Sequence, residues 1–208
     1  MEGPEVERDW FIVSRWQEYG AERRANLLRV LAIAAFYLVH MANYYRWFGL
    51  PEMPGADRRF HQLMTALAAA WIAVALAIRV ALDRQFFPSA MKYVTTLVDV
   101  LLLTLVIGTA DGPRSPLVVG FFLILMAVAL RFSLRLVWCG TAAVVVGYVG
   151  LLADAKWFAT TDKTVPARTA LIVLVAMVFG GVTLGAVVRR VRRMAFEFAA
   201  RTSTGRLT

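Results

Sequence analysis

From Ala25 onward the chain alternates apolar runs with short polar stretches, and its clearest unit is Tyr93 to Leu130. Leu97 to Gly108 carries no charge except Asp99, and Leu117 to Leu130 carries none at all. Neither run has the polar face of a helix in a soluble domain. Between them lies Gly108-Thr-Ala-Asp-Gly-Pro-Arg-Ser-Pro116, where Asp111, Gly112, Pro113, Ser115 and Pro116 each favour ending a helix or reversing the chain. The pattern predicts a membrane hairpin of two helices, and the other segments are set around it.

Residues 1–24 are polar and charged, with Val6, Trp10, Val13 and Trp16 at roughly helical spacing. They read as a short amphipathic helix. It either lies on the membrane with Trp10, Phe11 and Trp16 among the headgroups or packs on cytoplasmic loops. A first span is expected from about Ala25 to Tyr45, with Arg29 near its start reaching back toward water. It ends in His40, Asn43, Tyr44, Tyr45 and Trp47, an aromatic belt. Pro51, Pro54 and Gly55 make 46–59 an irregular loop. A second span, about His61 to Leu82, is rich in alanine: Ala66 and Ala70, then Ala69, Ala73 and Ala77, repeat every four residues, a ridge that lets helices approach closely or that simply faces lipid. After the hairpin, Arg131 and Arg135 frame a tight connection to a fifth span, about Leu136 to Leu152. A sixth, about Thr169 to Val188, holds Gly181 and Gly185 in a G-x-x-x-G arrangement, a close-packing signal. The basic tail is 189–208.

Composition agrees with this pattern. With 208 residues, 60% hydrophobic and only 18% charged, the chain suffices for one domain but is too apolar for an ordinary soluble one. Helices are the open-ended way to satisfy backbone groups across a hydrocarbon core roughly 30 Å thick, at about 20 residues per crossing. The expected fold is therefore an all-α six-span bundle: an N-terminal segment (1–24), a membrane domain (25–188) and a tail. The net charge of +9 reflects basic residues flanking the spans rather than nucleic-acid binding. Of the 23 basic residues, 16 fall on the face shared by both termini and 7 on the other, which places both termini in the cytoplasm. The acidic start is not expected to act as a cleavable leader. The single cysteine, Cys139, excludes an internal disulfide and reads as an inert small hydrophobe.

Few residues carry chemistry. Asp99 is the one acid well inside a span, and an unpaired carboxylate there is costly. It is expected to pair with Arg131 or Arg79, helped by Thr95 and Thr96, or else to be protonated and bonded to Thr95 alone. His40 and His61, at the outer ends of two spans, could converge as a metal or pH-sensitive pair, or be plain interfacial residues; two ligands without a third are a weak metal signal. Asp111 and Arg114 in the outer turn could touch a ligand or merely hold the turn in water. A single acid does not make an ion pathway, so a transporter ranks low. No phosphate loop, zinc-protease pattern or nucleophile elbow is present, and ends of about 24 and 20 residues are too short for a catalytic domain, so an enzyme is not expected. No metal or cofactor is expected; a quinone, haem or pigment in an apolar pocket would find only His40 and His61 as histidine ligands.

The stretch Val98-Asp99-Val100-Leu-Leu-Leu-Thr104, then Asp111-Gly112-Pro-Arg-Ser115-Pro116, then a Phe121-Phe122-Leu-Ile-Leu run closing at Arg131, resembles the membrane-embedded N-terminal domains of bacterial signalling proteins, namely multi-pass sensor histidine kinases and six-span class III adenylate cyclases. The resemblance covers mainly residues 93–150. It implies six helices in a bacterial inner membrane that sense a stimulus and pass it to a cytoplasmic helix beginning at Arg189 to Phe198. No histidine box, ATP-binding domain or cyclase domain follows in this sequence. The leading expectation is thus a non-enzymatic sensor that signals through helix packing and a partner, as a homodimer through its sixth span. The alternative is an accessory subunit bound to unlike membrane proteins.

Overall fold

The computed structural model describes residues 4–45, 47, 58–86, 88, 90–158 and 163–204, without the side chains of 4–18 and 195–204. The Trp10, Phe11 and Trp16 side chains, and the loop with Pro51, Pro54 and Gly55, lie outside the described residues. The described chain is all-helical: α1 (Pro4–Tyr44), α2 (Arg58–Asp83), α3 (Met91–Thr109), α4 (Gly120–Ala129), α5 (Leu134–Trp157) and α6 (Ala167–Thr204). Five stretches are long and apolar enough to cross a membrane, namely Tyr19–Tyr44, Arg58–Asp83, Met91–Thr109, Leu134–Trp157 and Ala167–Met194. This is the architecture of a multi-pass helical membrane protein. α1 is continuous across residue 24 and α6 across residue 188, so neither terminal segment is separated from its span by a break.

The fourth apolar run is the exception. Residues 117–130 do not form one α-helix. Two 3-10 turns, Gly112–Arg114 and Pro116–Val119, precede the ten residues of α4. Gly112 sits at φ +61°, a conformation that suits glycine, and starts the reversal. Ser115 then accepts a hydrogen bond from the Leu117 N–H with Pro116 in the first position of the new turn, which fixes a cap ahead of α4. Pro116 to Ala129 covers about 23 Å, short of the roughly 30 Å core.

α5 is the centre of the bundle, packed on α3, α4 and α6, while α1 packs on α2 and more lightly on α4. Leu136, Val137, Val144 and Tyr148 of α5 meet Ile107, Phe121, Leu125 and Met177, all essentially inaccessible. Close approach explains this. A Cβ at Gly147 would lie 2.8 Å from the Thr104 Oγ1, and one at Gly140 would lie 3.2 Å from Val128. A Cβ at Gly181 would collide with the Thr141 side chain, whereas Gly185 has ordinary room beside Leu134. The glycine face of α6 is therefore occupied by α5 of the same chain. A homodimer through this span would have to use another face of it.

The alanine ridge behaves differently. Ala66, Ala69, Ala70, Ala73 and Ala77 are all exposed. The buried face of α2 is instead Met64, Ala75, Ile78 and Leu82, extended by half-buried Ala68 and Trp71. These positions alternate in steps of four and three, the seam by which one helix lies along another.

Candidate functional site

α1 turns Glu22, Asn26 and Arg29 to one side, at steps of four and three, and all three are buried. Arg29 grips Asp99 of α3 with two parallel bonds, Nε to Oδ1 at 2.7 Å and Nη2 to Oδ2 at 2.6 Å. The remaining guanidinium nitrogen, Nη1, donates to Asn26 Oδ1 at 2.6 Å, and Asn26 donates to the Ala75 carbonyl of α2 at 3.0 Å. The Trp71 indole of α2 donates to Asp99 Oδ1 at 2.9 Å. The planar fork of arginine matches a carboxylate in this way, and the extra donors compensate for desolvation of the acid.

A second cluster adjoins the first. Arg131, between α4 and α5, donates through Nη1 to the Thr96 hydroxyl at 2.7 Å and the Lys92 carbonyl at 3.0 Å, and through Nη2 to the Thr95 hydroxyl at 3.3 Å. Its Nε lies 3.1 Å from Glu22 Oε1, and both side chains are about 95% buried. Two acids and two arginines thus share one layer that joins α1, α2, α3 and the start of α5, with no surplus charge.

Asp99 is therefore partnered by Arg29, not by Arg131 or Arg79, and Thr95 and Thr96 serve Arg131 rather than Asp99. Arg79 lies on the exposed face of α2, where it pairs with Asp83 at 3.1 Å beside Arg23. Arg29 does not reach for water, because Asp99 offers a closer charge within the bundle. The missed signal was the stripe Glu22, Asn26, Arg29: three polar residues at helical spacing entering an apolar span call for a polar partner on the facing helix.

At the opposite end, His40 Nε2 and His61 Nδ1 lie 3.2 Å apart, with the rings stacked at 5.4 Å between centroids. Tyr44 stacks on His61 at 4.0 Å, Phe60 meets His40 edge-on, and Tyr37 bonds Thr65 at 3.1 Å. Among the described residues no group of three or more His, Cys, Asp or Glu side chains is arranged to hold a metal ion. In the outer turn Asp111 and Arg114 are both exposed, and Arg114 Nε donates to the Thr164 carbonyl at 2.7 Å. Lys163, which the sequence did not single out, donates to the Gly108 and Ala110 carbonyls at 3.0 and 2.7 Å. It satisfies orphan carbonyls at the end of α3.

A cleft of about 550 Å³ runs along the bundle between α1 and α4, floored by α2 and α3. Its walls are almost wholly apolar, with Arg29, Asp99 and Arg131 at one end and Tyr37, His40 and Asn43 at the other. The exposed side chains of Leu31, Val39 and Met126 form its rim. The chain matches no family model, no curated protein and no solved structure. The site is thus read from its own chemistry: a charge-balanced layer of two acids and two arginines, an apolar cleft in the volume range of small-molecule sites, and a ring of aromatic and imidazole groups.

Proposed function

We propose that the chain is a non-enzymatic sensory domain of a bacterial inner membrane that crosses the bilayer six times, keeps both termini in the cytoplasm and signals through a partner protein. The observation that carries this reading is α6, which packs in the bundle through Met177, Gly181 and Val188 and then continues unbroken for 16 residues to Thr204. At 1.5 Å per residue that is a lever of about 24 Å. A displacement of α6 against α5 would reach its far end without a flexible joint, which is how the resemblance to membrane domains of sensor kinases and adenylate cyclases would operate. The short α4 counts as the fourth crossing, with its 3-10 turns reaching the outer face. Charge placement supports the orientation: Arg84, Arg131, Arg135 and Arg189 belong to one end of the bundle, Arg114 and Lys163 to the other.

The self-contact that such a sensor needs falls on the exposed side of α6, where Leu171, Val175, Phe179 and Val182 are uncovered. Cysteine placed at Phe179 or Val182, with Cys139 replaced by alanine, is expected to cross-link two copies in native membranes. Cysteine at Met177, which is buried, is not. No cross-link at any exposed α6 position would remove the homodimer. A second reading, the accessory subunit, is favoured by the uncovered alanine ridge of α2, because small-residue faces pack against helices.

A further inference from the structure

We infer that the cleft between α1 and α4 binds an isoprenoid quinone, with its ring among His40, Asn43, Tyr37 and Phe60 and its tail lying toward Arg131. This names the stimulus of the proposed sensor and rests on that reading for its meaning. Length comes first. The cleft is lined along α1 from Ala25 to Asn43, about 27 Å at 1.5 Å per residue, close to the whole hydrocarbon core. A phospholipid tail occupies one leaflet, about half of that core. A long isoprenoid tail fills it all.

Charge comes second. At the Arg131 end the two arginines that line the cleft are matched by Asp99 and Glu22, so among the described lining residues no unmatched cation remains for an anionic head such as a polyprenyl phosphate. At the His40 end the lining offers an imidazole, an amide, a phenol and the Asp111 carboxylate. Arg58 and Arg59 start α2 at that same end but are exposed and do not line the cleft. Among the described residues, the lining at this end suits a neutral head rather than a phosphate.

Shape and hydrogen bonding come third. Phe36, Tyr37, His40 and Phe60 line this end, a set of rings suited to a flat partner. Asn43 is half-buried against the cleft, and its side-chain amide has no partner among the described residues. That amide and the His40 ring can serve the carbonyl oxygens of a quinone, and ring faces stack on its plane.

The test is the quinone content of the full chain purified gently from bacterial membranes and extracted with organic solvent. Wild type should carry near-stoichiometric quinone, well above its ratio in the surrounding lipid. Ala127→Trp, which fills the cleft from α4, should empty it, and Asn43→Leu should weaken retention about threefold to tenfold, the worth of one hydrogen bond. Val146→Trp, on an exposed face of α5, should change nothing. If Ala127→Trp fails to give a uniform particle, Asn43→Leu decides. Quinone at the bulk ratio, or retention indifferent to both cleft variants, would overturn the site, as would an extract holding only phospholipid that Ala127→Trp removes. Quinone bound by a chain whose exposed α6 positions never cross-link would sink the sensor and leave the site. Cross-linking without quinone would do the reverse.

Discussion

Asp99 and Arg29 bury opposite charges that each have a second partner, so the loss of either leaves an uncompensated charge in the bundle. Asp99→Ala and Arg29→Ala should each destabilise by about 3–5 kcal/mol, and an apolar pair at both positions should recover much of the loss. Thermal unfolding in mild detergent reads this, and an unchanged midpoint in Asp99→Ala would contradict the pairing. Asp99 was legible in the sequence as a residue in need of a partner, but the partner was not. Depth along the membrane made Arg79 and Arg131 as good as Arg29, and only the facing of α1 toward α3 separates them. A smaller effect is expected at Gln85, which ends α2 in the left-handed region at φ 55° while the Phe86 N–H bonds the Ala81 carbonyl and the Gln85 N–H the Leu82 carbonyl. Glycine favours this position, so Gln85→Gly should stabilise by about 1 kcal/mol.

At the level of helices, a span's existence and its packing face are written differently in the sequence. Long apolar runs, uncharged in α5 and α6 and broken only by Asp99 in α3, announce these helices without ambiguity. Faces depend on neighbours, and there the small-residue patterns divided: Gly181 meets Thr141, while Ala66, Ala70, Ala73 and Ala77 are left exposed by the described residues. Ala75, two residues from both Ala73 and Ala77, is the alanine that α1 covers, through Asn26. Gly140 and Gly147, seven residues apart, admit α4 and α3 to α5 yet form no four-residue motif. Two substitutions test this division. Gly181→Val should cost about 1–3 kcal/mol by overpacking, with partial rescue by Thr141→Ala. Ala75→Leu should destabilise to a similar degree, and Ala73→Leu should leave the unfolding midpoint of the chain unaltered. Equal sensitivity at 73 and 75 would mean that α2 presents a different face.

For the whole molecule, the bundle is asymmetric. α5 and the helices around it form a close-packed half. α1 and α2 are held to it by the charge layer at one end, and the cleft lies where α1 meets α4 only lightly. A sensor needs a part that can shift, and the bundle divides along the cleft, from which α4, packed on both α5 and α6, would pass a shift to α6. The measurement that tests the sensory reading most directly is the mass and subunit composition of the particle released gently from its native membrane. A particle whose membrane part is built only of copies of this chain, most simply two, is predicted, with or without a cytoplasmic partner. A fixed ratio of this chain to unlike membrane subunits would contradict the reading and make the alanine ridge of α2 its binding face.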